Sequence, residues 1–191
     1  MLRFILLAVI LQKVAKIGER PTANIAEPGD MSPKIVDLEE LSERSEKLRT
    51  EGKKLVATNG CFDLLHAGHV RYLQAARALG DVLAVGLNGD QSVRELKGSG
   101  RPITTESDRA EVLAALQCVD LVTIFPQVRA TQFIAAIRPA IYVKGGDYTS
   151  EILNGEERAI LEEIGAEVRL VPFEPSYSTS RLIEQICRSK S

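Results

Sequence analysis

The sequence predicts an α/β fold, a Rossmann-like doubly wound sheet of five parallel strands with helices on both faces. Two observations lead to this class. Short apolar segments alternate along the chain with longer segments whose apolar residues recur at helical spacing. The short segments are also apolar on both faces, which is typical of parallel strands covered by helices on each side. Such a sheet binds ligands at the carboxyl ends of its strands, so the segments that follow the strands form the candidate site.

In the first half of the chain, each element follows from its own pattern. Leucines recur on one side of a polar helix at 37–51, and a short apolar strand follows at 54–58. A helix at 69–79 carries apolar residues at helical spacing and is stopped by a glycine. A continuous apolar strand then covers 82–87, and a short helical turn covers 92–96.

In the second half, an Ala- and Leu-rich helix at 107–117 precedes an apolar strand at Leu121–Phe125. The next helix, Thr131–Ile137, ends before Pro139, which cannot continue it. The remaining predicted elements are a strand at 141–143, a helix at 156–164, a strand at 168–171 and a helix at 178–187.

Bulk composition excludes several classes of protein. The chain of 191 residues carries a formal net charge of −2 with 26% charged residues, so it lacks the basic surface of a nucleic-acid-binding module. Its three cysteines are odd in number and widely spaced, which argues against a disulfide framework or a zinc site. We therefore expect a cytoplasmic protein with an aliphatic core and no nucleic acid among its partners.

We expect residues 1–33 to be a poorly packed extension or linker, followed by one domain at 34–191. The apolar run at 4–11 is far shorter than the ~20 residues that span a bilayer, so no membrane segment is expected. Met31 directly precedes the first well-patterned helix and is a candidate start. The alternatives for the extension are a peripheral docking helix and a targeting element.

The segment from Asn59 to His69 directly follows the first predicted strand and opens the next helix. It holds both histidines of the chain, His66 and His69, which can face the same way because they are three residues apart. The helix N-terminus favours anions, and Gly60 and Gly68 let the backbone approach a ligand closely. The pattern indicates a phosphate site. The alternatives are a metal-binding histidine pair, for which no further ligand lies at suitable spacing, and two structural histidines.

Five motifs together resemble one enzyme superfamily. Asn59-Gly60-Cys61-Phe62-Asp63 with His66-Ala67-Gly68-His69 resembles the signature of the HxGH nucleotidyltransferases. The further motifs, in order, are Leu96-Lys97-Gly98 with Arg101-Pro102, then Asp108-Arg109, Val143-Lys144-Gly145-Gly146-Asp147-Tyr148 and Tyr177-Ser178-Thr179-Ser180-Arg181. Five motifs in this order are similar to the cytidylyltransferase-like branch, over a span of about 38–186.

Within that branch, two features resemble the D-glycero-β-D-manno-heptose 1-phosphate adenylyltransferases more than the glycerol-phosphate enzymes. These features are Lys-Gly-Gly-Asp-Tyr at 144–148 and Ser-Thr-Ser-Arg at 178–181. The resemblance implies transfer of AMP from ATP to heptose 1-phosphate, giving the lipopolysaccharide precursor ADP-heptose and pyrophosphate by in-line attack without a covalent intermediate. It also implies Mg²⁺ and a homodimer. The second interpretation is a cytidylyltransferase acting on glycerol 3-phosphate or another phospho-alcohol.

The resemblance and the charge of the reacting phosphates suggest a role for each candidate residue. The catalytic candidates are His66 and His69, which would donate to the triphosphate, and Lys97, which would bridge the α-phosphate and the incoming phosphate. The candidates for binding ATP are Asn59, Gly60, Phe62, Asp63, Gly68, Asn88, Arg101, Ser178, Thr179 and Ser180. The candidates for binding the second substrate are Lys144, Gly145, Asp147 and Tyr148. No protein ligand for a metal is predicted, because phosphates and water would hold Mg²⁺.

Several of these residues have a structural alternative that the sequence leaves open. The alternatives are an internal role in the loop for Asn59 and Asp63, solvation alone for Lys97 and Arg101, a helix cap for Ser178 and a turn for Asp147. For the whole chain, the alternative from another class is a nucleotide-sensing domain without activity. The presence of both histidines and of the loop lysine argues against it.

Overall fold

The computed structural model describes residues 32–146, 153–172 and 179–188, with the backbone alone at Ser180. The strands are β1 (Leu55–Gly60), β2 (Val82–Asn88), β3 (Leu121–Phe125), β4 (Ile141–Gly145) and β5 (Glu167–Val171). The helices are α1 (Leu38–Thr50), α2 (Ala67–Arg77), α3 (Asp90–Lys97), α4 (Glu106–Ala114), α5 (Thr131–Ile137), α6 (Gly155–Glu163) and α7 (Thr179–Arg188).

The five strands form one parallel sheet in the order β3-β2-β1-β4-β5. The chain starts at the centre, moves outward through β2 and β3, and then crosses back to place β4 on the other side of β1. The order therefore reverses between β1 and β4, which is the point where doubly wound sheets bind their ligands. The predicted fold class is confirmed.

The core consists of two apolar layers, one on each face of the sheet. Successive side chains of a strand point to opposite faces, so Val56 belongs to one layer and its neighbour Ala57 to the other. Buried residues of α2 and α4 complete the first layer, and buried residues of α1 and α5 complete the second. Helices therefore cover both faces, as the apolar strands predict.

Most element boundaries differ from the prediction by one to three residues, and three of these differences have a clear local reason. β1 runs two residues further, because Asn59 and Gly60 continue the ladder with β2. α2 begins at Ala67 and not at residue 69, because His66 caps it. The predicted helical turn at 92–96 is the eight-residue helix α3, whose first N–H, at Asp90, donates to Glu106 Oε2 at 2.7 Å.

The described residues begin with a segment that is anchored to the sheet. Ile35 forms a parallel bridge with Val122 of β3, and Lys34 donates to the carbonyl oxygen of Val119 at 2.8 Å. Of the expected extension, residues 1–31 lie outside the described residues. None of the helices in the described ranges is long and apolar enough to cross a bilayer.

Candidate active site at the carboxyl edge of the sheet

The histidine segment, Asn59 to His69, leaves β1 at the carboxyl edge of the sheet. Tyr72, in the helix that follows, holds this segment in place through hydrogen bonds. The Thr58 hydroxyl lies 2.6 Å from the Tyr72 hydroxyl, which in turn donates to the carbonyl oxygen of Val143 at 3.0 Å. These bonds join α2 to β1 and β4. Burial raises the pKa of Tyr72, so the phenol stays neutral and keeps the proton that it donates. The start of α2 is therefore held at the point where the strand order reverses.

His66 and His69 face the same way, as their spacing predicts. Their rings stack with centroids 3.9 Å apart and planes inclined by 24°. His66 is the N-cap of α2, and its Nδ1 accepts from the backbone N–H of His69 at 3.4 Å. His69 Nδ1 is buried and has no hydrogen-bond partner among the described residues. One imidazole is thus committed to the helix start, while the other keeps an unused polar atom.

The backbone around the histidines is shaped by Phe62, Gly60 and Gly68. Phe62 adopts a left-handed conformation with φ 42°, and its ring lies 5.4 Å from that of His69. A Cβ at Gly60 would come within 3.0 Å of the Phe62 ring, so a side chain there would displace it. Gly68 is buried in the first turn of α2. Among the described residues, nothing accepts from the N–H groups of Phe62 or Asp63.

Both histidines are neutral at physiological pH in this structure. The pKa of His69 is lowered to about 4, mainly by burial and to a smaller extent by the charge that His66 carries when it is protonated. Burial also lowers the pKa of His66. Each ring therefore carries one N–H and one lone pair near pH 7, and can donate one hydrogen bond to a phosphate oxygen without first losing a proton.

A proton NMR titration of the ligand-free protein is expected to place the His69 midpoint near pH 4. Between pH 6.5 and pH 4, His69 is protonated in the unfolded chain and neutral in the folded protein. The contribution of His69 to the free energy of unfolding therefore falls as the pH drops from 6.5 toward 4. His66→Asn is a matched variant, because asparagine keeps a helix cap and removes the competing charge. It should raise the His69 midpoint, and a wild-type midpoint at 6.5 would contradict the burial argument.

Asp63 joins the histidine segment to the basic loop that follows α3. Its carboxylate accepts from the Arg101 Nε, from the Ile103 N–H at 2.7 Å and from the Thr104 N–H at 3.3 Å. Its backbone oxygen accepts from the Thr104 hydroxyl at 2.8 Å. The Asp63 side chain is 1% exposed, so this carboxylate lies beneath the loop. Asp63 thus has the internal role that the sequence left open, and it fixes where Arg101 stands.

Asp63→Asn is expected to lower the free energy of unfolding by about 1.5–3 kcal/mol, because it removes the charge from a buried set of hydrogen bonds. Urea denaturation followed by circular dichroism measures this change. Asp81→Asn is a suitable control, since Asp81 accepts from the Lys54 N–H in an exposed position. Equal losses of unfolding free energy in the two variants would contradict the argument that burial makes the hydrogen bonds of Asp63 stronger.

Lys97 is the exposed last residue of α3. Burial raises the pKa of the Cys61 thiol, and the positive charges of Lys97 and Arg109 oppose that rise. These charges are therefore close enough to act on the histidine segment. The Lys97 side chain itself is exposed to solvent, and its catalytic role stays a prediction.

Asn88, the last residue of β2, is buried and serves the scaffold. Its amide nitrogen donates to the Ser92 hydroxyl and to the carbonyl oxygen of Gln127, each at 3.3 Å. Its own carbonyl oxygen accepts from Arg109 at 2.9 Å. These bonds fix the end of β2 relative to α3 and the segment after β3.

Lys144 and Asn59 meet across the strand-order reversal. The Lys144 Nζ donates to the Asn59 Oδ1 at 2.7 Å, and the Tyr142 hydroxyl donates to the same oxygen at 2.6 Å. Glu157 Oε2 lies 3.6 Å from the Lys144 Nζ. Gly145 ends β4 beside them. Asn59 therefore holds internal contacts through its oxygen, and the predicted substrate positions Asp147 and Tyr148 lie outside the described residues.

The start of α7 also reaches the histidine segment. The Thr179 hydroxyl donates to the carbonyl oxygen of Leu64 at 3.3 Å. This contact brings the predicted phosphate-binding helix start to the same edge of the sheet. Ser178 and the side chain of Ser180 lie outside the described residues.

Sequence reasoning gave no site role to three residues that organise this edge, namely Tyr142, Glu157 and Arg109, the last of which was noted only as part of the motif Asp108-Arg109. Arg109 and Glu157 each stand four residues before a buried leucine of the same helix, which is the sign of a charged side chain on an apolar face. Tyr142 stands two residues before Lys144 on one strand, so both side chains point to the same face. Within the described ranges, no three His, Cys, Asp or Glu side chains come together in a group that could hold a metal ion.

The model of the cytidylyltransferase-like family matches residues 57–185, which include the whole histidine segment. The chain is 48% identical over 180 residues to "Bifunctional protein HldE" of Geotalea uraniireducens (strain Rf4), covering 91% of this chain and 36% of that protein. It is 50% identical over 157 residues to the protein of the same name from Helicobacter pylori (strain J99), covering 82% of this chain and 32% of that protein. The chain thus spans about a third of the length of these relatives.

Two solved structures share the fold. The lipopolysaccharide core biosynthesis protein from Thermoplasma volcanium GSS1 superposes with a TM-score of 0.53 at 27% identity, covering 66% of this chain and 100% of that one. Pantoate-beta-alanine ligase from Francisella tularensis superposes with a TM-score of 0.54 at 13% identity, covering 81% of this chain and 73% of that one, and this likeness concerns the fold alone. The family model matches most of the chain, and the two histidines of the matched segment stack at the start of α2. The chain therefore belongs to the cytidylyltransferase-like family and is a nucleotidyltransferase.

Proposed function

We propose that this chain is an adenylyltransferase, which transfers AMP from ATP to D-glycero-β-D-manno-heptose 1-phosphate and releases ADP-heptose and pyrophosphate. The observation that carries the proposal is the stacked pair of His66 and His69 at a helix start, at the reversal point of a parallel sheet. The choice of a sugar phosphate is supported by the sequence at 144–148 and by the similarity to a lipopolysaccharide core biosynthesis protein.

The reaction requires alignment and charge neutralisation more than an activated side chain. A phosphate oxygen of the sugar phosphate attacks the α-phosphorus of ATP, and the bond to the pyrophosphate oxygen breaks. The nucleophile is already an anion at neutral pH, so no general base is needed. Holding the two phosphates in line can lower the barrier by about 7–11 kcal/mol, and fixed donors stabilise the charge that develops.

The donors for this work come from the histidine segment and the loops beside it. The N–H groups of Phe62 and Asp63 are available for phosphate oxygens, since no described residue accepts from them. His69 donates from its neutral ring to the α-phosphoryl group, where the charge develops. Lys97 moves in from solvent to bridge the two phosphates, and Thr179 opens the helix that holds the outer phosphates of ATP.

Mg²⁺ enters with ATP in this proposal. Within the described ranges, no three His, Cys, Asp or Glu side chains come together to hold the ion, so the triphosphate oxygens and water would supply most of its ligands. When bound, the ion would neutralise phosphate charge and assist the departure of pyrophosphate.

Pyrophosphate release tests the proposal directly. ATP, CTP, GTP and UTP are each combined with heptose 1-phosphate, glycerol 3-phosphate and a panel of other sugar and alcohol phosphates. The expected result is turnover with ATP and heptose 1-phosphate, lost in a His69→Ala preparation purified in parallel. Turnover with CTP and glycerol 3-phosphate instead would overturn the proposal and favour the second candidate, which the cytidylyltransferase-like family model supports.

A further inference from the structure

We propose that Glu157 is a positioning residue of this site: through Lys144 it fixes the orientation of the Asn59 amide, so that the Asn59 NH₂ group faces an acceptor oxygen of the bound nucleotide. This inference rests on the proposed function, because it takes Asn59 to contact ATP. Glu157 stands on α6, outside every motif that the sequence singles out, and it would act without touching the substrate.

The three side chains form a continuous chain of contacts between β1, β4 and α6. The Lys144 Nζ lies 2.7 Å from Asn59 Oδ1 on one side and 3.6 Å from Glu157 Oε2 on the other. The second oxygen of Glu157 accepts from the Ala130 N–H at 3.0 Å, at the start of α5. Glu157 is only 5% exposed, so both of its oxygens are committed to these two partners within the protein interior.

The chemistry of the groups determines which way the Asn59 amide points. An ammonium group can only donate, so the amide must turn its oxygen and not its nitrogen toward Lys144. The Tyr142 hydroxyl donates to the same oxygen at 2.6 Å. The side-chain hydrogen bonds of Asn59 to described residues both end on Oδ1. The NH₂ group is therefore left to face away from Lys144, as a donor suited to a phosphate or ribose oxygen.

This orientation depends on the charge of Lys144, and Glu157 preserves that charge. Burial lowers the pKa of Lys144, and the positive charge of Arg129 lowers it further. Glu157 opposes both effects by its negative charge and its hydrogen bond. Tyr142, whose ring centroid lies 5.4 Å from the Lys144 Nζ, stays a neutral phenol because burial raises its pKa. A neutral Lys144 could accept a hydrogen bond, and the amide would then be free to flip.

A purely structural role for Glu157, as the acceptor for the Ala130 N–H, must be separated from this one. Glu157→Gln does so, because glutamine keeps an oxygen for Ala130 and loses only the charge that faces Lys144. The matched control is Glu156→Gln, which removes the same charge from the exposed neighbouring position of α6.

Steady-state kinetics over pH provide the first readout. We expect Glu157→Gln to lower kcat/KM for ATP about 10-fold at pH 7.5, since a well-oriented hydrogen bond to a charged oxygen is worth about that factor. The alkaline limb of the profile should also move to lower pH, because activity is lost as Lys144 releases its proton. Glu156→Gln should match the wild type. An unchanged alkaline limb in Glu157→Gln would overturn the proposal.

A double-mutant cycle with Lys144→Met provides the second readout. If Glu157 acts through Lys144, then adding Glu157→Gln to Lys144→Met costs nothing further in kcat/KM, and the two single effects are strongly non-additive. Additive losses in the double variant would show that Glu157 acts by another route and would contradict the proposal.

NMR of the ligand-free protein provides a readout that does not depend on activity. The side-chain ¹⁵N–¹H₂ signals of Asn59, identified by their loss in Asn59→Ala, should shift with pH as Lys144 titrates. The midpoint should be lower in Glu157→Gln and unchanged in Glu156→Gln. If the midpoint shifts but no nucleotide is turned over, the arrangement stands and the proposed function fails. If ATP is turned over but the midpoint does not shift, the proposed function stands and this inference fails.

Discussion

Replacing His69 with alanine is expected to lower kcat by about 100-fold or more, with a much smaller change in the KM for ATP. The reason is the position of this ring. It stacks on His66 at the start of α2, and its Nδ1 is buried without a partner among the described residues. Since the pKa of His69 is about 4, the neutral ring offers a fixed donor to the charge that develops on the α-phosphoryl group. A donor of this kind acts mainly on the transition state and therefore mainly on kcat.

Single-turnover and steady-state measurements of pyrophosphate release at saturating ATP test this prediction. Gln74→Ala is the matched control, because Gln74 is an exposed residue of the same helix. His66→Asn separates the two histidines, since asparagine preserves the helix cap while removing the ring. A His69→Ala enzyme with nearly full kcat and only a raised KM would show that His69 binds ATP without stabilising the transition state.

The fold could be predicted from the sequence because the signals for it are local and repeated. A parallel sheet needs apolar strands and covering helices. The apolar run at 82–87 by itself indicates a strand, and the pattern at Thr131–Ile137 by itself indicates a helix. The ends of the elements were harder to place. Asn59 and Gly60 belong to β1 because they pair with β2, and pairing between segments far apart in the chain leaves no mark in the local sequence.

The candidate site divides in the same way. The histidines are three residues apart, so their common direction follows from helical geometry alone. The partner of Asn59, in contrast, is Lys144, 85 residues further along the chain. No spacing rule links two such positions, and only the strand order brings β4 beside β1. The internal roles of Asn59 and Asp63 therefore stayed open until the structure was known.

Arg109 is the residue whose removal should affect the architecture of the site most. Its guanidinium donates to the carbonyl oxygens of Cys61 at 2.5 Å, Asn88 at 2.9 Å and Thr104 at 3.2 Å, and to Asp90 Oδ1 at 2.7 Å. These four partners belong to the histidine segment, the end of β2, the loop before α4 and the start of α3. The Arg109 side chain is 1% exposed, so water cannot replace these bonds without entering the interior.

Arg109→Met is expected to lower the free energy of unfolding by about 3–5 kcal/mol, because methionine retains the apolar stem but leaves the carbonyls and Asp90 without their donor. Arg109→Lys should recover only part of this loss, since an ammonium group cannot reach partners spread around a planar guanidinium. Denaturant unfolding with an unchanged m-value measures both effects. The control is Arg94→Met, at an exposed position of α3 where the Arg94 Nε donates to Gln91 Oε1 at 3.3 Å.

The outcome of these variants bears on catalysis as well as on stability. The histidine segment and the loop before α4 carry His69 and Arg101, and Arg109 is the side chain that bonds to the backbone of both. If the scaffold positions the donors, Arg109→Lys should lower kcat even under conditions where the protein is fully folded. If the free energy of unfolding of Arg109→Met lies within 1 kcal/mol of the wild-type value, the carbonyl oxygens have found other donors. The guanidinium is then not the group that holds the loops together.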